Sequence, residues 1–229
     1  MKLNYLQTSV LVLLTGLLFG SLSSCTNGDV ISEFKTHKIT EEFKKYAAFD
    51  SLSYWVYRKT TSTTSNIDTV KVTNVSLDRR FHTDVNNPGY FYDAIEISLS
   101  STFLGLTKAE IAAGSQYESS NMDELLRFHY FSGKYYTVLL PHIPIDSTVH
   151  LGNPEGDYSN VSFHEEQWVN GIAYQDVFES RVITDSTEMH FYIAKNFGLI
   201  KYTSAKISGT GLKINDEWVL ETSSLIPIP

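Results

Sequence analysis

A single thiol, seven imidazoles and a scatter of carboxylates are the groups in this 229-residue chain with obvious chemical potential. Cys25 is the one cysteine, so no internal disulfide can form and a cysteine-built zinc site is excluded. The densest local cluster is His164-Glu165-Glu166. On a strand, residues two apart share a face. His164 and Glu166 could therefore hold a metal if a neighbouring strand supplied a third ligand, for which His190 is a candidate. A solvated strand face is the commoner meaning of such a pair, and the expectation is no catalytic residue, no metal ligand and no cofactor. Asp146, Glu155 and Asp157 flank an excursion rich in proline and glycine, but their spacing fits no calcium loop, and turn chemistry accounts for them. There is no Gly-x-Ser-x-Gly elbow and no His-Glu-x-x-His pair, the local signatures of two large hydrolase groups. A hydrolase whose site the fold assembles from scattered Asp, Glu and His residues is the second reading.

The lone cysteine is explained by what precedes it. Met1 to Gln7 carries Lys2 as its only charge, and Val10 to Phe19 is apolar except for Thr15 and Gly16. A positive start, a short apolar run and small residues at its end make a signal peptide, too short to span a bilayer. The run ends in Leu22-Ser23-Ser24-Cys25, which resembles the bacterial lipobox. That resemblance implies cleavage before Cys25 and diacylglycerol on its sulfur. Two or more acyl chains, at about 0.8 kcal/mol per buried methylene, anchor a protein stably. The expected organisation is a signal peptide over 1–24, a lipidated N-terminus and tether over 25–35, and one β-rich domain over 36–229. The expected place is the cell envelope, at the outer membrane, with the membrane as a partner through lipid on Cys25.

Composition narrows the other partners. The net charge is −8, and the densest basic pairs are Lys44-Lys45 and Arg79-Arg80. Nucleic acid needs a positive footprint that is missing here, and an anionic lipid surface offers an acidic protein no attraction. Apolar residues make up 42% of the chain and charged residues 19%, within the range of a packed globular domain. Fourteen tyrosines, thirteen phenylalanines and three tryptophans serve a β core, or the stacking platforms that bind sugars.

The elements that must position these groups are mostly strands. Thr40 to Phe49 reads as a short amphipathic helix, with Thr40 as N-cap, Glu41 and Glu42 in its first turn, and Phe43, Tyr46 and Ala47 on one face. Beyond Ser51 the period is two. Asp68 to Phe81 is a long strand whose apolar phase slips between Val72 and Val75, the mark of a bulge. Asn86-Asn87-Pro88-Gly89 reads as a turn before a strand from Tyr90 to Phe103. Thr107-Lys108-Ala109-Glu110 has the form of a capping box closed by Gly114, and a second helical piece is expected over Met122 to Phe128. Asn170-Gly171 is a two-residue hairpin signal between Asn160 to Trp168 and Ile172 to Ile183. Asn196-Phe197-Gly198 turns the chain between two further strands. The predicted fold is mainly β: an antiparallel meander, half-barrel or sandwich-like, with two or three short helices.

Three segments carry a resemblance: Gly171-Ile172-Ala173-Tyr174-Gln175-Asp176-Val177, then Phe191 to Tyr202, then Trp218-Val219-Leu220. The pattern Gly-x-x-Tyr-x-Asp-Val followed by Tyr-x-Ala-x-x-x-Gly-Leu-Ile-Lys resembles uncharacterised lipoproteins of the Bacteroidetes, over roughly residues 168 to 221. It implies β-meander architecture and not a catalytic signature, with the open half-barrels of lipoprotein carriers as a fold candidate. Asp50-Ser51-Leu52, Asp68-Thr69-Val70, Asp146-Ser147-Thr148 and Asp185-Ser186-Thr187 resemble the Asp-Ser/Thr-x acceptor for O-glycosylation in that phylum. Together these readings predict an envelope-anchored, non-enzymatic binding, carrier or assembly module for an apolar, glycan or protein ligand. Metabolic labelling with a fatty acid should mark the wild-type chain and leave Cys25→Ala unmarked; equal labelling of both would refute the lipid anchor.

Overall fold

The computed structural model describes residues 34–62, 66–84, 87–102, 104–116, 122–152, 155–208 and 211–228. Residues Lys35–Pro229 form one compact unit. In chain order its elements are β1 (Thr36–His37), α1 (Glu41–Ala47), β2 (Tyr54–Lys59), β3 (Ile67–Asp84), β4 (Asn87–Ser100), β5 (Leu106–Gln116), β6 (Met122–Tyr130), β7 (Tyr135–Leu139), β8 (Thr148–His150), β9 (Asp157–Val169), β10 (Ile172–Ile183), β11 (Thr187–Ala194), β12 (Gly198–Ser208) and β13 (Gly211–Ser224). The thirteen strands among the described residues belong to one open sheet in the order β7-β6-β5-β4-β3-β2-β13-β12-β11-β10-β9-β8, with β1 added in parallel on β4. The sheet is thus two meanders, β2 to β7 and β8 to β13, each made of sequence neighbours. They are joined where the last strand pairs antiparallel with β2, Trp218 opposite Lys59 and Leu220 opposite Tyr57.

The first meander confirms the predicted slip: the β3–β4 register shifts between Val72 and Asn74. The second confirms the hairpin at Asn170-Gly171, where φ is 51° and 78°, the paired positive values a type I′ turn requires. The turn at 196–198 is also present, with φ of 65° at Asn196 and 72° at Gly198.

Helix α1 forms as its residues predict. The Thr40 side chain accepts from the Phe43 amide, acids occupy the first turn and lysines the last, and Phe43, Tyr46 and Ala47 are buried. Tyr46, Ala47 and Phe49 line one apolar crevice with Trp55 and Tyr57 of β2, Leu126 of β6 and Leu199 of β12, and Phe49 meets Trp55 edge-on at 5.4 Å between ring centroids. Polar tips on the buried rings fix this seat: Trp55 Nε1 donates to the Phe197 carbonyl at 2.7 Å and the Tyr57 hydroxyl to the Leu199 carbonyl at 2.7 Å. Burial of whole aromatic side chains is the main stabilising contribution here.

The expectation of two or three helices is overturned, because α1 is the one helix among the described residues. The apparent capping box at Thr107 to Glu110 lies in β5, and Met122 to Phe128 lies in β6. Both segments alternate once their partners are known. Ala109, Ile111, Leu126 and Phe128 are buried in the core, while Glu110 and Arg127, on the other face, join an ion-pair network. Cross-strand hydrogen bonds with β4 and β7 outweigh a local helical preference of a few tenths of a kcal/mol per residue. The turn predicted at 86–89 is also displaced: residue 86 lies outside the described residues, and Asn87 to Gly89 already belong to β4.

At its far side the sheet is buttressed by side chains and not by a ladder. Ser180 Oγ donates to the Val138 carbonyl of β7 at 2.5 Å. Asn160 Nδ2 donates to the Leu140 and Ile143 carbonyls, and the Tyr158 oxygen accepts from the Leu140 amide at 2.9 Å. These groups are buried, so their pairing is obligatory.

Gly198 sits where the β11–β12 turn meets α1. Its φ is +72°, and a Cβ there would lie 3.2 Å from Phe49 Cε2. Gly198→Val is expected to destabilise the domain by about 1–3 kcal/mol, read as a lower melting temperature. An unchanged melting temperature would mean that the turn and α1 do not meet this way.

Candidate functional site

Strands β9, β10 and β11 bring the sequence-predicted histidines together on the face of the sheet opposite the core. Register sets this. Glu179 lies opposite Ser162 on β9 and Tyr192 on β11, so that His164 and His190 fall diagonally beside it. Glu179 Oε1 accepts from the Tyr192 hydroxyl at 2.9 Å and lies 3.0 Å from His190 Nδ1. Its Oε2 accepts from Ser162 Oγ at 3.0 Å and lies 3.5 Å from His164 Nε2. Glu188 Oε1 lies 2.9 Å from His190 Nε2. Burial raises the pKa of Glu179, but the hydrogen bonds from His190, Tyr192, Ser162 and His164 outweigh it and hold the carboxyl below its ordinary range. Burial and the bond to Glu179 both push the Tyr192 phenol well above its usual value.

A serine, a histidine and a carboxylate in contact invite comparison with a nucleophilic triad, and the geometry decides against it. Ser162 Oγ lies 2.7 Å from His164 Nε2, and Glu179 approaches that same nitrogen. In a triad the acid orients the imidazole through the other nitrogen, leaving one free to take the serine proton. Here the Ser162 hydroxyl is shared between the imidazole and the carboxylate. Nor do these residues form a metal cage: among the described residues no group of three or more His, Cys, Asp and Glu side chains is arranged to hold an ion. The carboxylates already bond to imidazole, phenol and hydroxyl.

Glu166, the other half of the predicted pair, shares the face of His164 but lies further along β9 and does other work. Its Oε1 accepts from Trp168 Nε1 at 2.9 Å and its Oε2 from Gln175 Nε2 at 3.1 Å. This part of the β9–β10 hairpin is a two-stranded arm: β8 pairs with β9 only at residues 157–159, and β11 pairs with β10 only from Val177 onward. One face of the arm is packed, with Val169 and Tyr174 buried and Tyr174 edge-on to Phe197 at 5.0 Å between ring centroids. The tip is tied back to β2, where Arg58 donates to Asn170 Oδ1 at 3.1 Å and also pairs with Glu221.

The remaining candidates are separated. Glu155 is buried, taking Arg127 at 3.1 Å and the Thr137 amide and hydroxyl at 3.0 and 2.5 Å. Asp157 pairs with His150 at 2.6 Å, and Asp146 holds a turn at φ 64°. Three carboxylates with three different roles leave no calcium loop. Asp68, in one of the glycosylation-like triplets, is also buried, accepting from Ser101 Oγ at 2.6 Å and from the Thr102 and Leu104 amides. Cys25 lies outside the described residues. Sequence reasoning missed Glu179, Tyr192 and Ser162. The alternation of β10 and β11 was legible, but not the register that makes Glu179 their shared acceptor.

A second polar cluster, also unforeseen, crosses β3 to β6. Arg80 pairs with Glu96 and, at 2.5 Å, with Glu110, and Lys108 reaches Glu96 at 3.2 Å. Arg127 spans Glu110 and Glu155, and its guanidinium lies 5.0 Å over the Tyr135 ring. A hydrogen bond with His129, opposed by burial and reinforced by Arg80 and Arg127, lowers the Glu110 pKa to about 2.

Inside the sheet, α1 leaves an apolar crevice of about 30 Å³, roughly the space of one or two waters. Two larger hollows, of about 490 and 420 Å³, are open grooves outside: one between Lys38 to Lys44 and β3–β4, the other beside the turn at Thr184 to Ser186. No family model, curated protein or solved structure matches this chain.

The depressed Glu110 carboxyl makes a pH prediction. Because its folded pKa lies below the unfolded value near 4.5, its contribution to stability is fully present above about pH 4.5 and is lost as pH falls toward 2. Glu110→Gln is expected to cost about 1–3 kcal/mol at neutral pH and to flatten melting temperature against pH across that window. An unaltered pH profile would show that the network does not constrain the carboxylate.

Proposed function

We propose that this chain is an envelope-anchored lipoprotein, held at the outer membrane by lipid on Cys25, whose β domain is a non-enzymatic binding module for a glycan or apolar ligand. In this reading the sheet is a half-barrel plugged by its own helix, and recognition takes place on its outside. One observation carries it: the groups with chemical potential bond to each other, while large apolar side chains, Trp168 foremost, stay exposed on the β9–β10 hairpin. The Glu179 cluster and the Arg80–Glu110–Arg127 network are internally paired. Trp168 is 63% exposed, and Phe163 and Ile172 are 44% exposed. A general base or nucleophile needs a free partner in a cleft, whereas a binding surface needs exposed rings with polar groups at their rim. The crevice of about 30 Å³ admits no acyl chain while α1 is seated, so a carrier role for the hollow would require α1 to leave.

Native mass spectrometry of the full chain purified from its own envelope is expected to find a glycan or apolar adduct, and no hydrolysis of ester, amide or glycosidic substrates. Hydrolysis that disappears in Glu179→Gln would overturn the non-enzymatic reading.

A further inference from the structure

Trp168 is a costly residue to leave in water, since a buried indole would gain several kcal/mol from the area it hides. The chain's other two tryptophans follow that rule, with Trp55 7% and Trp218 4% exposed. Trp168 does not, and three features hold it in one pose with its ring uncovered. Its N–H is bonded to Glu166, two residues back, which lays the indole along β9. Its cross-strand partner is Ala173, whose methyl cannot cover an indole. The arm beneath it is clamped at the tip by Arg58 and Asn170. An aromatic surface fixed before any ligand arrives loses little entropy on binding.

The rim completes the description. Glu166 and Gln175 face each other across the hairpin and are bonded to each other. After those bonds the carboxylate keeps accepting lone pairs, and the carboxamide keeps its carbonyl oxygen and one N–H. A flat apolar ring bordered by a carboxylate and a carboxamide matches a molecule with an apolar C–H face and hydroxyls around its edge. We propose that Trp168, with Glu166 and Gln175, forms a stacking site for an uncharged sugar ring of a glycan. The inference rests on the binding-module reading and gives that module a place and a ligand class.

The sugar is neutral because the rim is anionic and the chain carries −8, so a uronate or sulfated sugar would meet repulsion. A second copy of the chain is the poorer occupant: antiparallel pairing along the free edge of β9 would bring Glu165 and Glu166 near their own counterparts, and like charges across strands destabilise.

The test uses the full chain in detergent micelles on an array of neutral and uronate-containing oligosaccharides. The strongest neutral hit is then titrated while acrylamide quenches tryptophan fluorescence, which reports chiefly on the exposed Trp168. Binding of a neutral oligosaccharide is expected, with Trp168 shielded from acrylamide. Trp168→Ala should weaken the complex roughly tenfold or more with the melting temperature unchanged, and Trp168→Phe should retain most of the affinity. Three results would each overturn the proposal. Binding to no neutral glycan removes the ligand class, and the binding-module reading then depends on the adduct found by mass spectrometry. Binding that Trp168→Ala leaves intact removes the site but keeps the module. Preference for uronates removes the electrostatic argument.

Discussion

The ladder between β13 and β2 is the constraint on which the rest of this structure depends. Each meander is built of sequence neighbours, whose hairpins need only short loop closures. Joining the meanders pairs residues about 160 positions apart, such as Trp218 with Lys59 and Val219 with Arg58. The chain's C-terminal residues follow: Asp50 N donates to the Ile226 carbonyl at 2.7 Å and Ile228 N to the Ala48 carbonyl at 3.1 Å. Without that ladder, β2 and β13 would be open edges, templates for pairing with other chains. With it, the two halves share one core, in which Phe128 of β6 meets Phe191 of β11 at 6.3 Å between centroids.

Helix α1 is held by the same closure. It has only seven residues, too few to persist alone in water, and it is stable because Phe43, Tyr46 and Ala47 fill space that two distant strands enclose. The short bond from the Asn196 amide to the Lys45 carbonyl, 2.7 Å, ties the end of the helix to the β11–β12 turn. The hollow is therefore occupied by the protein itself.

On the outer face the sheet handles polarity in two ways. Where burial is substantial, carboxylates are surrounded by donors: Glu110 by Arg80, Arg127 and His129, and Glu179 by Tyr192, Ser162 and two histidines. Buried charge is tolerated only when paired and hydrogen-bonded. Where the sheet thins to the two-stranded arm, Val169 and Tyr174 are buried on one face, while Trp168 on the other stays exposed. The paired clusters lie where a strand has neighbours on both sides, and Trp168 lies where the hairpin has none beyond itself.

The sequence by itself determined the period-two strands, the Thr40-capped helix, the Asn170-Gly171 hairpin, the slip near Val72 and the shared face of His164 and Glu166. All of these are encoded within a few residues, by alternation, capping and positive-φ turn chemistry. Tertiary structure decided what local signals could not carry. The 107–110 capping box became strand, because Ala109 and Ile111 found a core and Lys108 and Glu110 found ionic partners on other strands. The register of β10 against β9 and β11 made Glu179 the centre of the histidine cluster, and the extent of β8 and β11 left Trp168 bare. Strand pairing is a choice among distant segments, settled by the burial and hydrogen bonds that only the assembled sheet provides.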